Sequence, residues 1–89
     1  MVHYSIWVKG KVQGVFFRAS TKDAAERLGV CGWVRNEPDG SVHIEAEAPE
    51  EKMEQFIKWC RQGPRFAHVH SIHFETGSVK GYKDFTIQR

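Results

Sequence analysis

In the stretch GKVQGVFFRAS, Gly10 to Ser20, a cation stands where a strand gives way to a helix. A helix start carries partial positive charge and favours acids, yet Arg18 and Lys22 both precede the first acid, Asp23. Each misplaced cation costs on the order of 0.3–1 kcal/mol. A local rule broken at one place marks a candidate functional site. Gly10 and Gly14 tolerate positive φ, so the successive amides of Gln13, Gly14, Val15, Phe16, Phe17 and Arg18 are expected to turn inward as a concave nest. Such a nest beside a guanidinium fork binds an oxyanion of phosphate size, because the fork contacts two oxygens at once. Neither GxxxxGK[ST] nor GxGxxG is present, which sets aside a Walker loop and a dinucleotide fingerprint. The competing reading is a tight turn in which Val12, Val15, Phe16 and Phe17 only pack the core and Arg18 lies on the surface.

Other polar residues carry weaker signals. Asn36, before EPDG, reads on its own as a turn former. His68, His70 and His73 cluster in HVHSIH, but no cysteine or acid completes a ligand set, so they read as a solvated strand face. Trp33 and Trp59 read as core or rim aromatics. Cys31 and Cys60 lack CxxC spacing, which fits free thiols in an intracellular protein better than a disulfide or zinc site.

The elements that must position these residues follow from periodicity. Tyr4, Ile6 and Val8 alternate with polar or amphipathic neighbours, predicting a strand over His3 to Lys9 that ends at Gly10. Phe17, Thr21, Ala24, Ala25 and Leu28 share a helical face, and Gly29 is a natural stop, predicting a helix over Phe17 to Leu28. Strands are expected over Val30 to Glu37 and Ser41 to Ala48, joined through Pro38-Asp39-Gly40 as a hairpin. A second helix opens at Pro49, Glu50 and Glu51, presents Met53, Phe56, Ile57 and Cys60, and closes at Gly63-Pro64. The fourth strand, His68 to Glu75, loses its parity between Val69 and Ile72, as at a bulge or an edge. Phe85 and Ile87 suggest a short last strand. The order β, α, β, β, α, β with that extra strand is α+β: a ferredoxin-like split βαβ sandwich, an antiparallel sheet with two helices on one face.

The 89 residues suit a single domain, 1–89, with one core. Hydrophobic residues make up 40% and charged residues 27%, which excludes a disordered chain. A net charge of +2 without a run of like charges is weak for a dedicated nucleic-acid binder. No secretory pattern and no long apolar run occurs, so no membrane association and a cytoplasmic location are expected.

GKVQGVFFR resembles the signature loop of acylphosphatases, and GWVRN, Gly32 to Asn36, resembles their second motif. The likeness spans essentially the whole chain, including DGSV at Asp39 to Val42, the Gly63-Pro64 pair and FTI at Phe85 to Ile87. Phe16 stands where many members carry glycine, a departure bearing on loop stiffness. The resemblance implies hydrolysis of the carboxyl-phosphate bond of small acyl phosphates, releasing a carboxylate and inorganic phosphate. It implies that Arg18 and the amides of residues 13–18 bind the phosphoryl group and that Asn36 holds the attacking water. No cofactor or metal is expected, since the leaving carboxylate departs without a general acid and no compact carboxylate cluster suits magnesium. A monomer acting without nucleic acid or membrane is expected. The alternative is a non-catalytic anion- or RNA-binding ferredoxin-like module; against it, an RNP1 pattern is missing, as is the loop CxxC of a metal chaperone.

Overall fold

A computed structural model describes residues 1–89. The elements are β1 (Val2–Lys11), α1 (Phe17–Leu28), β2 (Cys31–Asn36), β3 (Val42–Ala48), α2 (Glu50–Gln62), β4 (His68–Gly77) and β5 (Phe85–Ile87). They form one five-stranded sheet in the order β4-β1-β3-β2-β5. Four strands are antiparallel, as the ferredoxin-like reading requires, whereas β5 adds in parallel beside β2, making the sheet mixed.

One face of the sheet meets the helices. Ile6 and Val8 of β1, Val34 of β2 and Val42, Ile44, Ala46 and Ala48 of β3 pack there against Phe17 and Ala25 of α1 and Met53, Phe56 and Cys60 of α2. The helices alternate apolar and polar sides at the 3.6-residue period, so each has one face to bury. α1 ends where Gly29 adopts φ 76°, letting its amide reach the carbonyls of Ala25 and Glu26. Glu50 and Glu51 begin α2 and Arg61 ends it, in accord with the dipole, whereas the first turn of α1 holds no acid.

The hairpin forms at Pro38-Asp39-Gly40. The Asp39 carboxylate accepts hydrogen bonds from the Ser41 amide at 2.9 Å and hydroxyl at 2.6 Å, and Gly40 takes φ 92°. These two bonds, hydroxyl first, lower the Asp39 carboxyl below its ordinary range.

Two details depart from the periodicity. β1 does not stop at Gly10 but continues to Lys11, because β4 carries an extra residue, His70, between the pairs Lys9–Ser71 and Gly10–Val69. A Cβ on Gly10 would sit 2.2 Å from the His68 carbonyl oxygen, so the bulge demands glycine there. The parity slip in β4 thus has both expected causes: the strand is bulged, and it lies at the sheet edge. Both cysteines are free, and burial pushes the Cys60 thiol far up, leaving it inert.

Candidate active site

The loop between β1 and α1 is built from the inside out. Val12 and Val15 are buried and anchor it to the core, and Phe17 follows them at the helix start. The Gln13 side chain donates to the carbonyls of Glu37 and Ser41 at 2.8 and 2.9 Å, fastening the loop to the β2–β3 hairpin. Between these anchors Gly14 takes φ 72° and Phe16 takes φ 62°, both left-handed. Alternation into left-handed backbone turns consecutive amides to one side. The glycine was legible as such a position; Phe16 was not, because a bulky residue rarely adopts positive φ.

Phe16 is the N-cap of α1 and gives no side-chain cap. The first helical bond runs from the Ser20 amide to the Phe16 carbonyl at 3.0 Å, and the amides of Val15 to Ala19 find no acceptor within the chain. A helix start left this way is an anion site in electrostatic terms. Arg18 lies in that first turn, half-buried, with one hydrogen bond, from Nη1 to the Gln88 carbonyl at 3.3 Å. That bond steadies the guanidinium without neutralising it, and most of its donor fork stays free.

Asn36 ends β2 next to this loop, and its Oδ1 is buried with no hydrogen-bond partner in the chain. A buried acceptor without a partner is uncommon in a folded protein and calls for an explanation in function. Gly14, Phe16, Phe17, Arg18 and Asn36 line one cleft of about 380 Å³, together with Val12, Ala19, Ile87 and Arg89. Gln13 and Val15 lie outside that lining: one holds the hairpin and the other packs the core. The β5 wall, Ile87 with the Gln88 carbonyl and Arg89, had no signal in the sequence, since only the parallel pairing of β5 with β2 brings it to Arg18.

The remaining candidates lie elsewhere. His68, His70 and His73 are exposed on β4; His73 meets Glu75 at 3.1 Å and the Trp7 ring, with centroids 5.8 Å apart. No group of three or more histidine, cysteine or acidic side chains is arranged to hold a metal ion. Trp59 packs beside Phe17, with ring centroids 5.7 Å apart, while Trp33 lies on the opposite sheet face beneath the Arg35 guanidinium, 4.9 Å from its ring. No helix is long and apolar enough to cross a membrane.

Comparison with known proteins bears on the whole chain. The acylphosphatase family model matches residues 4–87. The chain belongs to the acylphosphatase family. An acylphosphatase of Gloeobacter violaceus is 47% identical over 88 residues, covering 99% of this chain and 95% of that one. The crystal structure of the acylphosphatase from Bacillus subtilis superposes with a TM-score of 0.97 at 37% identity, over the full length of both chains. That of an acylphosphatase from Coxiella burnetii gives 0.94 at 36% identity, over 98% of this chain and 92% of the other. Full-length membership makes the chain an acylphosphatase enzyme, a hydrolase that cleaves small acyl phosphates and releases phosphate.

Proposed function

We propose that the cleft between the 13–18 loop and Asn36 is where this acylphosphatase works, with Arg18 and the loop amides binding the phosphoryl group and Asn36 orienting water. One observation carries the reading: Arg18, with most of its donors free, the acceptor-less helix start at Phe16 to Ala19, and Asn36, whose Oδ1 has no partner in the chain, line one cleft. The amides and guanidinium match the negative charge on the equatorial phosphoryl oxygens, where charge stabilisation does most of the work of phosphoryl transfer. The Asn36 side-chain amide hydrogen-bonds the water and holds it with a lone pair directed at phosphorus.

The water oxygen forms a bond to phosphorus as the bond from phosphorus to the acyl oxygen breaks, and the electron pair leaves with the carboxylate. The attacking water passes one proton to a phosphoryl oxygen or to solvent, and the products are the carboxylate and inorganic phosphate. The leaving carboxylate is the base of an acid with pKa about 4, so no general acid is required. For the same reason the reaction needs no metal, and the site residues are donors and a neutral amide rather than a carboxylate set. We further propose that residues 1–89 act as one domain and a monomer in the cytoplasm, without nucleic acid or membrane; free thiols and a single core support this.

The test is turnover of benzoyl phosphate in the presence of EDTA. Wild-type protein should be active, and Arg18→Ala and Asn36→Ala should each lose about 100- to 1,000-fold in kcat, the loss typical of removing a preorganised transition-state contact. Near-wild-type turnover in both variants rejects the assignment.

A further inference from the structure

Phe16 combines three properties that the fold does not require together. Its backbone is left-handed, at φ 62° and ψ 24°, the only non-glycine residue of the chain with positive φ. Its side chain is 80% exposed, more than any other large apolar side chain, and so adds nothing to the core. It also lines the cleft that holds Arg18 and Asn36. A bulky residue in left-handed backbone is strained, and glycine would take the same conformation freely. Strain held at a cleft by a side chain that packs against nothing points to a ligand for that side chain.

The cleft indicates which part of a substrate Phe16 meets. A phosphoryl group held between Arg18 and Asn36 leaves its acyl group to extend along the remaining lining. The large apolar side chains exposed there are Phe16, on the loop, and Ile87, 41% exposed on β5; Val12 and Phe17 are buried beneath. An aromatic ring offers a flat apolar face to an aromatic or extended acyl group, whereas a single methyl presents little surface to it.

We propose that Phe16 is a specificity-determining residue whose exposed ring receives the acyl group, so that the enzyme favours aromatic and extended apolar acyl phosphates over acetyl phosphate. The proposal rests on the assignment of this cleft to acyl phosphates. Ile87 forms the facing wall, and the loop strain at Phe16 is kept for substrate selection.

The experiment compares kcat/KM for benzoyl phosphate and acetyl phosphate in wild type, Phe16→Gly and Phe16→Tyr, with inorganic phosphate as inhibitor. The benzoyl-to-acetyl ratio should fall about three- to tenfold in Phe16→Gly, the range of one aromatic contact, and remain near wild type in Phe16→Tyr. Phe16→Gly should also melt higher than wild type, since the strain is relieved, which guards against loss by misfolding. An unchanged ratio in Phe16→Gly overturns the proposal. Equal loss on both substrates together with lost phosphate inhibition also overturns it, because the ring would then only shape the loop. Wild-type protein inactive on both acyl phosphates would instead overturn the cleft assignment itself, and this inference with it.

Discussion

The molecule contains two nests of backbone amides, and they differ in what faces them. On the sheet face away from the helices, the amides of Lys80, Gly81 and Tyr82 all donate to the Glu47 carboxylate, the last two at 3.0 and 3.1 Å. His3 completes that cluster, with Nδ1 2.7 Å from Glu47 and Nε2 2.6 Å from Glu45. Glu45 also accepts from Ser5 at 2.8 Å and meets His43 Nε2 at 2.6 Å. Burial opposes ionisation of Glu47, but the Lys80 amide, His3 and the Tyr82 and Gly81 amides outweigh it and hold the carboxyl at about 2. In the other nest, at the start of α1, the chain supplies a cation and no anion. The fold therefore meets the donors of one nest internally and leaves those of the other without an acceptor in the chain, so the same backbone chemistry is structural in one place and, under the proposed assignment, functional in the other.

The contrast can be broken most forcefully at Glu47. Glu47→Ala removes the partner of His3 Nδ1 and the acceptor of three amides, and should destabilise the protein by about 3–5 kcal/mol at neutral pH, measured by urea unfolding. Because the folded carboxyl lies below its ordinary value of 4.5, its stabilisation is full above that pH and is lost as pH falls towards about 2. The gap between wild type and variant should therefore narrow across that window. A gap constant from neutral pH to pH 2 would show that the Glu47 charge is immaterial.

A smaller effect fills the other nest. Inorganic phosphate should stabilise wild-type protein by about 2–3 kcal/mol at a hundredfold its dissociation constant, read as a rise in Tm. Arg18→Ala should not respond, and without phosphate it should be no less stable than wild type, since Arg18 opposes the helix dipole. Marked destabilisation of that variant would make Arg18 a structural residue. The smallest effect is expected at Gln13, which joins loop to hairpin. Gln13→Ala should lose about 1 kcal/mol of stability, because the Glu37 and Ser41 carbonyls keep backbone partners. Its turnover should fall less than that of Arg18→Ala; an equal loss would place the Gln13 side chain in the chemistry.

The sequence made the helices and the hairpin legible because each rests on local signals: Gly29 ends α1, acids open α2, and Pro38-Asp39-Gly40 turns the chain. Arg18 was legible for the opposite reason, as a cation where local electrostatics favour an anion. The polar face of β3 was legible in parity only. His43, Glu45 and Glu47 alternate with apolar neighbours like a solvated strand face, yet Glu45 and Glu47 are buried: residues 80–82 close over Glu47 from a distant part of the chain, and His3, Ser5 and His43 surround Glu45. Likewise no periodicity distinguishes a three-residue strand that pairs in parallel, so the Ile87 wall and the Gln88 brace were hidden. The left-handed Phe16 ran against its own local preference, and only the surrounding anchors hold it there.

The position of β5 also bears on when the enzyme becomes an enzyme. β5 is tied to β2 by the Gly32 amide donating to Asp84 and the Gln88 amide donating to Val34, each at 2.8 Å, between segments far apart in sequence. Closing so long a loop is entropically unfavourable until the rest of the sheet exists to receive it. During synthesis the loop, α1 and Asn36 leave the ribosome well before Gln88, whose carbonyl steadies Arg18. The nascent protein can thus hold the loop, α1 and Asn36 and still lack a finished cleft, so under the proposed assignment hydrolysis begins only when the last strand docks.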